Sequence, residues 1–152
     1  MRRGDRGFVY LWALALVAAM GVGLAAVGPL WSQEAKRERE DELLRVGRLY
    51  ADAIARYYRS SPGSVKRYPP TLEVLLLDTR FVGTVRHLRT LYPDPVVGSA
   101  AWGLLRAADG GIRGVYSQST DAPLRAVAVD LGVTVLPPAT RYAEWQFAPK
   151  GD

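Results

Sequence analysis

The chain offers few side chains suited to catalysis. Its single histidine, His87, stands between Arg86 and Leu88 with no acidic or cysteine neighbour. A histidine so placed is expected at the surface or in a loop rather than as a general base. Ser117 and Ser119 flank Gln118 without the strand–turn–helix context that exposes a nucleophilic serine. Asp109-Gly110-Gly111 lacks the lysine that a phosphate-binding loop requires, and a hairpin tip accounts for it better. There is no cysteine, which excludes disulfides and Cys-ligated zinc or iron–sulfur centres. The expectation is a protein that is not an enzyme and carries no cofactor and no metal. Trp102, Tyr116, Trp145 and Phe147 read instead as the core of a small sheet.

The elements around these residues explain more than the residues do. At 152 residues, with 49% hydrophobic and 23% charged side chains, the chain has an ordinary globular composition and room for one domain. That average conceals Phe8 to Trp31, a run of 24 residues without a charge. A helix of about 20 apolar residues crosses ~30 Å of hydrocarbon, so the run is long enough to span. Arg2, Arg3 and Arg6 precede it, whereas Glu34 to Glu42 beyond it mixes both signs. The excess of positive charge on the N-terminal side predicts a cytoplasmic N-terminus and an exported C-terminal part, with a single pass through the membrane. Three readings compete for the run. A secretory signal peptide has a shorter apolar stretch, and the best small-residue cleavage site, Ala26-Val27-Gly28, runs into Pro29. An uncleaved signal anchor fits the length. A prepilin leader makes demands on particular residues.

Those demands are largely met. Met1-Arg-Arg-Gly-Asp-Arg-Gly7, followed by Phe8-Val-Tyr-Leu, resembles the start of the type IV pilins and type II secretion pseudopilins. In that family a short basic leader ends in glycine, and the mature chain opens with phenylalanine on a hydrophobic helix. The resemblance implies cleavage between Gly7 and Phe8 by a prepilin peptidase and N-methylation of Phe8. It also implies a helix kink at Pro29, where proline removes a helical hydrogen bond. The partners it implies are the inner membrane and other pilin-like subunits packed through the N-terminal helix. One residue departs from the pattern: Trp12 stands where the family usually has glutamate as the fifth mature residue. That glutamate is thought to pair with a neighbouring subunit's amino terminus, so its loss points to a minor or specialised subunit. Ala15, Ala19 and Gly23, four residues apart, suit close helix approach.

Beyond Trp31 the chain reads as helix to Tyr58. Leu43, Val46, Tyr50, Ile54 and Tyr57 form a stripe at three- and four-residue steps, and Ser60-Ser61-Pro62-Gly63 stops it. Arg37 and Asp41 are an attractive pair on that helix. Arg56, Arg59, Lys66 and Arg67 around Tyr57 and Tyr58 come nearest to a nucleic-acid footprint and read as a solvated helix end, so no nucleic acid is expected. Next come Tyr68-Pro69-Pro70 and a short helix from Leu72 capped by Thr71, then the rigid loop around Pro93-Asp94-Pro95. Strands are predicted at Trp102–Arg106 and Ile112–Ser117, joined by the hairpin turn at 107–111. A last strand with one aromatic face is predicted over Tyr142–Phe147, and Val127, Val129, Val133 and Val135 offer an extra strand. This order is similar to the globular head of the major-pseudopilin branch. That branch often binds calcium in a C-terminal loop, but Asp109, Asp121 and Asp130 are scattered here and the site is not carried over. The expected fold class is α+β: a long N-terminal helix packed by a small antiparallel sheet, pilin-like. The expected organisation is a leader at 1–7, a membrane or filament-core helix at 8–31, its amphipathic continuation at 32–60, and a small head at 61–152. The expected function is a structural subunit of a type II secretion or type IV pilus assembly. The alternative is an uncleaved, single-pass anchored interaction domain that forms no filament.

Overall fold

A stretch rich in Glu, Arg, Ala and Leu has strong intrinsic helix preference, and helix α1 occupies Asp5–Arg59. The computed structural model describes the backbone of residues 5–150 and the side chains of 8–21 and 32–150. The chain divides into two compact units, residues 1–37 and 38–152.

In the second unit the predicted stripe is the centre of the core. Leu43, Val46, Tyr50, Ile54 and Tyr57 are all buried, and Leu44, Ala51 and Ala53 widen the stripe. The helix stops where expected. Ser60 N donates to Arg56 O, the hydroxyls of Ser60 and Ser61 donate to Tyr57 O, and Gly63 adopts a left-handed φ of 80°.

Against the stripe lies an α+β head with small antiparallel sheets. β1 (Gly103–Arg106) pairs with β2 (Ile112–Tyr116), with a register shift between Leu105 and Arg106. The connecting turn is the predicted hairpin: Ala107 N donates to Gly111 O, and Gly110 has φ 79°. The Val-rich segment supplies two short strands rather than one, β3 (Val129–Asp130) and β4 (Val135–Leu136), paired with each other about Gly132. β5 (Gln146–Phe147) joins the other edge of β2, so the three-stranded order is β1-β2-β5.

Two local expectations are corrected. The strand predicted over Tyr142–Phe147 is a single 3₁₀ turn at Tyr142–Glu144 followed by β5. Alternation holds only for Trp145 and Phe147, which are both buried. Tyr142 is also buried despite its opposite parity, because Tyr142 N and Ala143 N pair with Asp121 O and Ser119 O and turn the chain. The short helix near Thr71 is likewise one 3₁₀ turn, Glu73–Leu75, with no side-chain cap at its start. The Glu73 carboxylate is held below its ordinary pKa first by its own backbone N–H and then by the Thr71 hydroxyl, which bonds it instead of capping the turn.

The sheet meets the helix at close range. A Cβ on Gly47 would lie 2.2 Å from the Phe147 ring, so only glycine lets that ring rest on the helix backbone. Trp102 stands edge-on to Phe147 and tilted against Tyr50, while its indole N–H donates to Tyr92 O at 2.9 Å.

Candidate functional site

The first unit presents one chemical feature, an uncovered apolar helix surface. Every residue from Phe8 to Gly21 is exposed, Phe8 by 65% and Trp12 by 64%, and the two rings meet edge to face at 6.5 Å. A helix apolar on all its faces requires cover, from lipid or from other helices. Among the described residues no helix is long and apolar enough to cross a membrane. The side chains of Gly7 and of residues 22–31, which hold Gly23, the Ala26-Val27-Gly28 site and the expected kink at Pro29, lie outside those described.

The second unit contains a buried ionic centre near the end of α1. Asp78 N donates to Val85 O at 2.8 Å, closing a loop whose apex is the solvent-exposed Val82-Gly83. The Asp78 side chain is completely buried and its carboxylate is fully engaged. Oδ1 accepts from Arg80 N and Nε, and Oδ2 accepts from Arg80 Nη2 at 2.6 Å and faces His87 Nε2 at 2.9 Å. The Arg80 bonds hold the carboxyl far below the ordinary aspartate range, outweighing the opposing effect of burial. Arg80 then reaches the helix: Nη1 donates to Ser61 Oγ, Nη2 donates to Tyr57 O, and the guanidinium lies 3.5 Å from the Tyr57 ring centroid. Arg56 Nη2 donates to His87 O at 2.6 Å.

A second buried carboxylate ties the start of this unit's helix to the C-terminal loops. Glu40 Oε2 accepts from Leu124 N and from the Tyr142 hydroxyl at 2.8 Å, and Arg125 bridges Glu40 and Asp41. Asp41 thus pairs with Arg125, 84 positions away, a partner that the helical Arg37–Asp41 spacing did not suggest. Burial and the Glu40 carboxylate push the Tyr142 phenol well above its ordinary pKa. Asp94 is the third: its carboxylate accepts from Val96 N, Val97 N and the Ser117 hydroxyl, which holds the Pro93-Asp94-Pro95 loop.

His87 is a loop residue, as expected, but it is buried and has an acidic partner. The expectation of a surface residue without acidic neighbours fails because Asp78 is nine positions away along a loop that folds back. Ser117 is spent on Asp94, and Asp109 accepts from Gly111 N and Tyr68 N at the hairpin tip. Asp109, Asp121 and Asp130 do not converge, and no three candidate metal ligands cluster among the described residues. Asp78, Arg80 and Glu40 were missed from sequence. The only available signal was the Asp78-Thr79-Arg80 spacing in an otherwise apolar stretch. An open cleft of about 960 Å³ lies beside the Asp78 centre, between the end of α1, residues 61–70 and the hairpin turn. The arrangement neutralises charge and fastens loops. No protein-family model, characterised protein or solved structure matches the chain.

Proposed function

We propose that the chain is a pilin-like structural subunit, a minor one, of a type II secretion or type IV pilus assembly in a bacterial envelope. After removal of residues 1–7 its N-terminal helix packs sideways against other pilin-like helices, and its head faces neighbours. The observation that carries this reading is the unbroken exposure of apolar residues from Phe8 to Gly21 on a helix that has no cover within its own unit. The glycine-ended basic leader, the Phe8 start and the α+β head with its small antiparallel sheets support it. Localisation in the inner membrane, N-terminus inside, belongs to the same proposal, as do processing by a prepilin peptidase and N-methylation of Phe8.

Trp12 favours a second reading, because tryptophan suits a membrane interface and cannot make the charge pair that a glutamate makes there. On that reading the chain is an uncleaved anchored interaction domain. Processing at Gly7 separates the two. In a host with a prepilin peptidase, Gly7→Ala is expected to be trimmed and Gly7→Glu to keep its leader. Equal mobility of wild type and Gly7→Glu on gels, both at full length, would favour the uncleaved anchor.

A further inference from the structure

Acidic side chains in the 38–152 unit mostly have cationic partners of their own. Glu42 pairs with Arg45, Asp52 with Arg48, Asp130 with Lys150 and Glu144 with Arg141, while Glu40 and Asp41 share Arg125. At the end of α1 the balance reverses. Arg59, Arg67 and Arg86 are exposed, and among the described residues their side chains make no ion pair or hydrogen bond. Lys66 and Arg56 add charge at the same end, and the carboxylate of Asp78 is already taken by Arg80.

This end is also cross-linked by hydrogen bonds. Lys66 Nζ donates to Arg59 O at 2.9 Å, Arg67 N donates to Ser61 Oγ, and Arg80 Nη1 donates to the same hydroxyl. Three segments are therefore pinned before anything binds, which lowers the ordering entropy of association. Between them lies the open cleft, lined by Val65, which is 65% exposed, and by one carboxylate, Asp109, which already accepts from Tyr68 N and Gly111 N.

We propose that this basic end is a docking face for an acidic, partly apolar stretch of another polypeptide, with Arg59, Arg67 and Arg86 meeting its carboxylates. A second copy of the chain fits poorly, since its own acidic residues are largely paired. Nucleic acid fits less well than a polypeptide. Tyr58 and Tyr68 stack on each other at 4.5 Å and are half-buried, so bases find no open aromatic platform. The face stands independently of whether the N-terminal helix assembles.

The test uses the full chain in a neutral detergent and fluorescence anisotropy with a labelled peptide of alternating glutamate and valine. Binding is expected to weaken steeply with added salt and to fall at least about tenfold in the double variant Arg67→Glu/Arg86→Glu. Neither side chain supports the fold, and Arg39→Glu, an exposed reversal near the other end of the unit's helix, should change affinity by less than about twofold. The proposal is overturned if the peptide does not bind, or if Arg39→Glu weakens binding as much as the double variant does. It is equally overturned if oligothymidylate or anionic vesicles bind as tightly as the peptide through the same arginines.

Discussion

Replacing Asp78 by asparagine isolates the buried ionic centre with almost no change of shape. The variant removes a charge that is wholly buried and leaves Arg80, whose side chain is 21% exposed, without its counter-ion. Removing one member of a buried pair costs roughly 3–5 kcal/mol, because the other charge stays buried without compensation. Three contacts soften the loss here, since Arg80 keeps its stacking on Tyr57 and its bonds to Tyr57 O and Ser61 Oγ, and its outer edge is open to solvent. The expected destabilisation is therefore near the lower bound, about 3 kcal/mol. In a unit of this size that corresponds to a fall of roughly 10 °C or more in Tm. Near-ultraviolet circular dichroism of the full chain would read it, since Trp102 and Trp145 are buried in the core of this unit. The pH dependence carries a second sign. Because Arg80 holds the folded-state pKa of Asp78 below its unfolded value, the stabilisation is fully present above that unfolded value. It is lost progressively as pH falls below about 4, and Asp78→Asn should flatten that acid limb. The double variant Asp78→Asn/Arg80→Met should be less destabilised than the sum of the single changes. A loss below about 1 kcal/mol for Asp78→Asn, with an unchanged acid limb, would refute the reasoning.

Gly47→Ala drives a Cβ to within 2.2 Å of a ring that is itself fully buried, so Phe147 must shift; about 1–3 kcal/mol should be lost in urea unfolding. Tyr142→Phe removes the hydroxyl that donates to Glu40 and should cost about 1–2 kcal/mol, whereas Glu40→Ala leaves both Tyr142 and Leu124 N without an acceptor and should cost more. Because the Tyr142 phenol is pushed up, its neutral form stabilises the fold below about pH 10, the unfolded value, and that contribution is lost as pH rises further. Burial also raises the phenols of Tyr50 and Tyr57, so ultraviolet difference titration should show three tyrosines ionising later in the folded chain than in the unfolded one, and two in Tyr142→Phe.

What could be read from the sequence is what depends on near neighbours. The stripe from Leu43 to Tyr57 repeats at the helical period, and its burial follows from that period alone. The hairpin at 107–111 follows from Asp109-Gly110-Gly111, whose glycine supplies the positive φ. What could not be read depends on distant partners. Tyr142–Phe147 alternates like a strand, yet backbone bonds to Ser119 and Asp121 bend its first half into a turn. His87 lacks acidic neighbours in sequence and acquires one because a nine-residue return brings Asp78 beneath it. Glu40 looks like one more charge on a helix face until Tyr142, 102 positions away, reaches it. Buried polar groups require partners wherever those partners lie along the chain, and periodicity carries no record of such pairs.

On the proposed reading, the uncovered apolar stretch of α1 that begins at Phe8 is freed of residues 1–7 and then covered by helices of its own kind. The most direct measurement is the intact mass and N-terminal residue of the chain extracted from the membranes of a bacterium that possesses a prepilin peptidase. The expected product is a polypeptide that starts at N-methylated Phe8 and lacks residues 1–7. A polypeptide that still starts at Met1 would contradict it.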